Sequence, residues 1–175
     1  MKPLNKQFAP KSVMPEKVIQ FGEGNFLSAF VDWIIWNMNQ KTDFNGSVVV
    51  VQPIAQGMAD WLNGQDCLYH VNLQGRENGQ PVNTLERIDC ISRALNPYTQ
   101  NQAFMALADQ PEIRFVISNT TEAGIAFDPS YTAESRGEQR YVASADINTE
   151  DFQAAVDFLL IAFSSPLFTI FIFSS

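Results

Sequence analysis

The chain has 175 residues, 46% hydrophobic and 17% charged, which supplies one core in one domain of ordinary size and leaves no comfortable room for a second complete domain. Eleven Lys and Arg against 19 Asp and Glu give a formal charge of -8 with no basic run, which excludes an electrostatic grip on nucleic acid and favours a small molecule or a protein as partner. Cys67 and Cys90 have no CxxC spacing and no secretory leader ahead of them, so reduced thiols in the cytoplasm are expected rather than a disulfide.

Met1 to Pro15 mixes Lys, Asn, Pro and Gln without an apolar run and is expected to be a loosely ordered arm. Lys17 to Phe21 is short, mostly apolar and ends at Gly22, which predicts a strand. From Asn25 the period changes: Leu27, Val31, Ile34 and Met38 fall at helical spacing, and Phe26, Phe30 and Ile35 widen the stripe, as in a helix laid on a sheet. Thr42 to Gly46 carries turn chemistry, and Ser47 to Gln52 contains four consecutive valines, the pattern of a parallel strand covered on both faces. Strand, helix and strand make a βαβ unit.

Leu68 to Gln74 and Gln80 to Thr84 alternate on either side of Asn78-Gly79, which predicts an antiparallel hairpin, followed by a short strand near Arg87 to Ser92. Thr99 to Asp109 is helical in spacing, and Arg114 to Ser118 is a buried strand ending at the polar cluster Asn119-Thr120-Thr121-Glu122. Polar residues at a strand's carboxyl end are where open α/β sheets place ligands. Asp128 to Asp146 has no period and is expected to be a loop, and Thr149 to Asp151 caps an expected helix through Leu160.

Residues 158–175, FLLIAFSSPLFTIFIFSS, are apolar and uncharged, and Ser164-Ser165-Pro166 interrupts them, so no membrane span is expected. They read either as a frameshifted or truncated end of a longer gene or as a terminal helix and strand completing the sheet. The expected fold is α/β, a Rossmann-like doubly wound and mostly parallel sheet over residues 16–157 with an antiparallel hairpin insertion.

A dinucleotide cradle needs one glycine for the turn after the first strand, a second for close approach of the pyrophosphate, and a helix amino end facing the anion. Gly22, Gly24 and the helix from Asn25 supply these, whereas the third glycine of the fingerprint is replaced by Leu27, with Ala29 close by. A bare GxG at such a junction also serves as a plain turn, and the βαβ context favours the cofactor reading. The acidic ribose anchor expected after the second strand is missing. Gln52 stands there and is a neutral candidate for a ribose hydroxyl, with no nearby Arg for a 2'-phosphate, which leans to NAD.

The stretches IQFGEGNFLSAFVDW, VVVVQPI, DCLYHVNLQGRENGQPV and RFVISNTTEAGI together resemble the N-terminal domain of the mannitol dehydrogenase family of long-chain polyol dehydrogenases, and within it the tagaturonate reductase (altronate oxidoreductase) branch. The resemblance covers about Pro15 to Phe127. It implies a Rossmann-type NAD domain with Ile19, Gln20, Phe21, Gly22, Glu23, Gly24, Asn25, Phe26, Leu27, Ser28 and Ala29 around the pyrophosphate turn, and Asn119, Thr120 and Thr121 near the nicotinamide ribose. The reaction it implies is hydride transfer between NADH and a keto sugar acid, a hexuronate. A related fructuronate or mannitol enzyme is the third reading, left open because the substrate contacts are expected mostly in the other domain.

Two departures stand out. Where the family pattern reads FLRAF, this chain has Ser28, so a cation near the phosphates becomes a hydroxyl. The family's helical C-terminal domain, with its catalytic lysine and sugar-acid site, has no counterpart after Phe152. Little or no turnover is therefore expected of the chain alone, and a noncatalytic remnant or nucleotide-binding module is the alternative. His70, the one histidine, is expected on the hairpin surface, Trp33 and Trp36 in packing, and Asp32 as a solvated or capping charge. Glu122 is the single carboxylate of the ligand-side loop. No metal-ligand spacing and no nucleophilic triad is present in the sequence.

Overall fold

The computed structural model describes residues 4–52, 54–120 and 169–174. Five strands form a parallel sheet: β1 (Glu16–Phe21), β2 (Ser47–Val51), β5 (Ile91–Leu95), β6 (Phe115–Thr120) and β7 (Thr169–Ser174), in the order β5-β2-β1-β6-β7. The hairpin strands β3 (Tyr69–Glu77) and β4 (Gln80–Ile88) make a separate two-stranded sheet. The doubly wound architecture expected from the sequence is present. The expected tail helix, the loop from Asp128 to Asp146 and Glu122 lie outside the described residues.

Two cores explain why the strands show no hydrophobic alternation. Val18, Val48 and Val50 face the helix α1 (Asp32–Lys41), the short helix α2 (Ala59–Gly64) and the hairpin through Val31, Ile35, Leu62, Val71 and Ile88. Ile19, Phe21, Val49 and Val51 face α3 (Pro97–Met105) and the 3-10 turn after it through Phe104 and Leu107. Every residue of β2 is buried, and each of its four valines adds apolar burial of about 1.5 to 3 kcal/mol.

Several boundaries differ from the sequence reading. The strand expected over Arg87 to Ser92 is the end of β4 and the start of β5, separated by Asp89-Cys90. α2 was not expected. The hairpin is longer than expected, with nine paired positions closed by Asn78 and Gly79, both at positive φ, as a type I′ turn requires. The arm is pinned rather than loose: Lys11 Nζ donates to the Asp66 and Ser92 carbonyls at 2.6 and 3.0 Å, and the Lys6 amide donates to Asp66 Oδ2 at 2.9 Å. Both cysteines are free and buried. Among the described residues no helix is long and apolar enough to cross a membrane, and no group of three His, Cys, Asp or Glu is placed to hold a metal ion.

Candidate cofactor site

β1 lies between β2 and β6, so the strand order reverses there, and the crevice outside the carboxyl ends of β1 and β6 is the place where open α/β sheets bind ligands. Phe21 pairs with Ser118. The register therefore sets the turn Gly22-Glu23-Gly24 beside Asn119 and Thr120 at the end of β6. Thr121 lies outside the described residues.

The two glycines serve different ends. Gly22 has φ +110°, its N–H donates to the Val51 carbonyl at 2.9 Å, and a Cβ there would stand 3.2 Å from Leu27 Cδ1. It is the turn former. Gly24 has no atom within 4 Å of where a Cβ would project. Its open face is where a pyrophosphate has room to approach the backbone.

Asn25 opens the helix, and the Ser28 amide donates to the Gly24 carbonyl at 3.1 Å. The partial positive charge of the helix amino end is thereby set at the turn. Leu27 stands where a third glycine would let helix and strand approach closely, and it is buried against Gly22. Over Leu27–Val31 the helix is widened to the π pattern, with the Asp32 amide donating to the Leu27 carbonyl five residues back. Asn25, Phe26 and Ala29 are exposed and Ser28 is half-buried, whereas Ile19, Gln20, Phe21 and Leu27 are buried and form the floor beneath the turn.

Glu23 bridges the turn and the loop after β2. Its Oε1 accepts the Met58 amide at 3.2 Å, and its Oε2 is buried without a partner among the described residues. Gln52 is not available to a ribose as expected: its Nε2 donates to the Ile54 and Ala55 carbonyls at 2.6 and 3.0 Å, and its Oε1 accepts the Ala59 amide at 3.0 Å. It shapes the loop that carries Met58.

Asp32 is the residue the sequence reading misplaced. It is fully buried under the turn, where Oδ2 takes the Tyr69 hydroxyl at 3.0 Å and Gln20 Nε2 at 3.4 Å. Burial pushes its carboxyl up to about 7, with the bonds from Tyr69 and Gln20 pulling the other way. Tyr69 is raised above its ordinary value, by burial first and the Asp32 charge second. The available signal was position, since Asp32 lies between Val31 at the end of the widened turn and Ile35 on α1, both buried.

His70 is exposed on β3, and the Trp33 indole N–H donates to Glu86 on β4, a packing role as expected. A cavity of about 370 Å³ opens at the opposite end of the sheet, beside Ser47 and Ile91 at the amino ends of β2 and β5. Its lysines are already engaged, Lys6 with Asp66 and Lys11 with the Asp66 and Ser92 carbonyls.

The mannitol dehydrogenase Rossmann domain matches residues 16–160. The chain belongs to the mannitol dehydrogenase family. It is 75% identical over 130 residues to an altronate oxidoreductase of Phocaeicola vulgatus, covering 74% of this chain and 27% of that protein. It is 71% identical over 141 residues to that of Bacteroides thetaiotaomicron, covering 81% of this chain and 29% of the relative. The chain thus spans less than a third of the length of these relatives. Among solved structures, Pseudomonas fluorescens mannitol 2-dehydrogenase in a ternary complex with NAD and D-mannitol superposes with a TM-score of 0.68 at 21% identity, covering 98% of this chain and 38% of that one. A D-sorbitol dehydrogenase in substrate-free form superposes at 0.67 and 18% identity, covering 95% of this chain and 36% of the other. At those identities the likeness is one of fold.

Proposed function

We propose that this chain is the NAD(H)-binding portion of an altronate oxidoreductase, the enzyme that interconverts altronate and tagaturonate by hydride transfer. The observation that carries the reading is the open face of Gly24 at the strand-order reversal, beside the amino end of the helix. The names of the relatives supply the substrate class, and the free, buried cysteines suit a reducing, cytoplasmic setting.

Gly22, Gly24 and Asn25 would hold the pyrophosphate, with Ser28 and Ala29 along the helix and Asn119, Thr120 and Thr121 toward the nicotinamide ribose. Glu23 would set a carboxylate close to the ribose, in place of the acid the fingerprint puts after β2. Its charge also opposes a 2'-phosphate, so NADH is preferred to NADPH. When bound, the nicotinamide supplies the hydride.

Reduction of the keto group also needs a proton donor beside the carbonyl oxygen. The described lysines do not serve: Lys6 and Lys11 lie at the far cavity, Lys17 donates to the Phe44 carbonyl and Lys41 ends α1. The purified chain is therefore expected to bind the cofactor with little or no altronate oxidation of its own. The test is fluorescence titration with NADH and with NADPH on the native chain, on Gly24→Val and on Glu23→Gln. Binding of NADH at least about tenfold tighter than NADPH, lost in Gly24→Val and narrowed in Glu23→Gln, is the expected result. Equal affinity for the native chain and Gly24→Val would overturn it, as would altronate oxidation at an enzyme's ordinary rate.

A further inference from the structure

In an unbroken α-helix the Asp32 amide would donate to the Ser28 carbonyl four residues back. Here it donates to Leu27, and the Ser28 carbonyl takes the Tyr69 hydroxyl at 2.8 Å. The same hydroxyl oxygen lies 3.0 Å from Asp32 Oδ2, although a tyrosine has one O–H to give. Gln20 spends its amide hydrogens on the Gly22 carbonyl and Asp32 Oδ2, while Asp32 Oδ1 and Gln20 Oε1 are buried with no donor. The acceptors in this dry cluster outnumber the hydrogens, and one more proton on Asp32 relieves the shortage.

We propose that Asp32 is a positioning residue of the cofactor turn that works as a neutral carboxylic acid. Its proton goes to the Tyr69 oxygen, which leaves the Tyr69 O–H to hold the Ser28 carbonyl and with it the widened first turn of the helix. Ionisation of Asp32 sets two acceptors against the single O–H and loosens the turn. The consequence for affinity rests on the cofactor reading above; the protonation itself does not.

The surroundings support a neutral acid. Among the described residues no lysine or arginine is hydrogen-bonded or ion-paired with Asp32. The Cys90 thiol donates to its backbone oxygen at 3.3 Å, and the Cys90 and Cys67 thiols are both raised by burial, so neither supplies a charge. On the hairpin, Glu86 is bonded to Trp33, while Arg87 pairs with His70 in the ladder, on the face opposite Tyr69 and Ile88, and reaches Asp89 at 4.0 Å. The raised carboxyl described above has the same sense.

Two readouts test this on the full chain. Carbon-13 NMR of the aspartate carboxyls should show one group titrating near neutrality that disappears in Asp32→Asn. NADH affinity of the native chain should fall about five- to tenfold from about pH 6 to about pH 8.5, whereas Asp32→Asn, which keeps a neutral donor, should show no such slope and Tyr69→Phe should bind weakly throughout. A group titrating in the ordinary carboxylate range at Asp32, or the same pH slope in the native chain and Asp32→Asn, would overturn the proposal. Absence of NADH binding at every pH, with the near-neutral titration intact, would remove the cofactor reading and uphold the protonated clamp.

Discussion

At the scale of single residues, Gly22 and Gly24 make opposite predictions. A side chain at Gly22 meets both a left-handed backbone and Leu27, so Gly22→Ala should destabilise the fold by about 1 to 3 kcal/mol in urea denaturation. Gly24 has an ordinary backbone and open space, so Gly24→Val should leave the denaturation midpoint nearly unchanged while removing NADH binding. Ser28 is the residue where a cation is expected from the family pattern. Ser28→Arg should tighten NADH by about one to two decades, the worth of a charge-assisted hydrogen bond to phosphate. An unchanged dissociation constant would mean that position 28 does not face the phosphates. The turn at Gly22 was legible in the sequence because turn geometry is local. Asp32 was not, because its partners Gln20 and Tyr69 come from other elements, and only tertiary packing turns a formally charged helix residue into a buried one.

At the scale of elements, the hairpin acts as a brace on the helix that follows the glycine turn. Tyr69 reaches the Ser28 carbonyl and Asp32, and Glu86 takes the Trp33 indole N–H. Tyr69→Phe leaves the hairpin ladder intact but deletes the hydroxyl, and a loss of about 1 to 3 kcal/mol is expected because buried acceptors are left unpaired. The four valines of β2 and the Asn-Gly turn announced their elements, one through residues covered on both faces and the other through positive φ at both turn positions. The break between β4 and β5 carried no such signal: Ile88, Cys90 and Ile91 are all buried across it, and neither glycine nor proline marks the change of sheet. α2 has six residues, too few to display a helical period. The pinned arm depends on Lys6 and Lys11 finding Asp66, a contact no local pattern reveals.

At the scale of the whole molecule, two carboxyls shape the dependence of stability on pH in opposite directions. Asp32 is raised from 3.8 to about 7 in the folded chain, so its contribution is full below its unfolded value and is lost as pH rises toward 7. At one pKa unit per 1.36 kcal/mol the loss is on the order of 4 kcal/mol. Glu16 is partly buried, which alone would raise it, but the Arg93 guanidinium and the Ser92 hydroxyl outweigh that and hold it lowered. Its contribution disappears in acid, as pH falls through that lowered value. The thermal midpoint is therefore expected to be highest near about pH 4, between the two unfolded values, and to decline toward neutrality, and Asp32→Asn should flatten the decline on the alkaline side. A native chain whose midpoint rises steadily from about pH 5 to about pH 8 would contradict this assignment.

The central claim is that the turn Gly22-Glu23-Gly24, carried at the strand-order reversal of a mannitol dehydrogenase family Rossmann domain, is a working cofactor cradle. The most direct measurement is calorimetric titration of the purified, folded chain with NADH near pH 6, with the thermal midpoint followed at each concentration. Saturable binding at one site per chain, with a midpoint that rises with NADH, is the predicted result. A folded chain that takes up no NADH and shows no shift would contradict the account and leave the turn as a strand-to-helix connection alone.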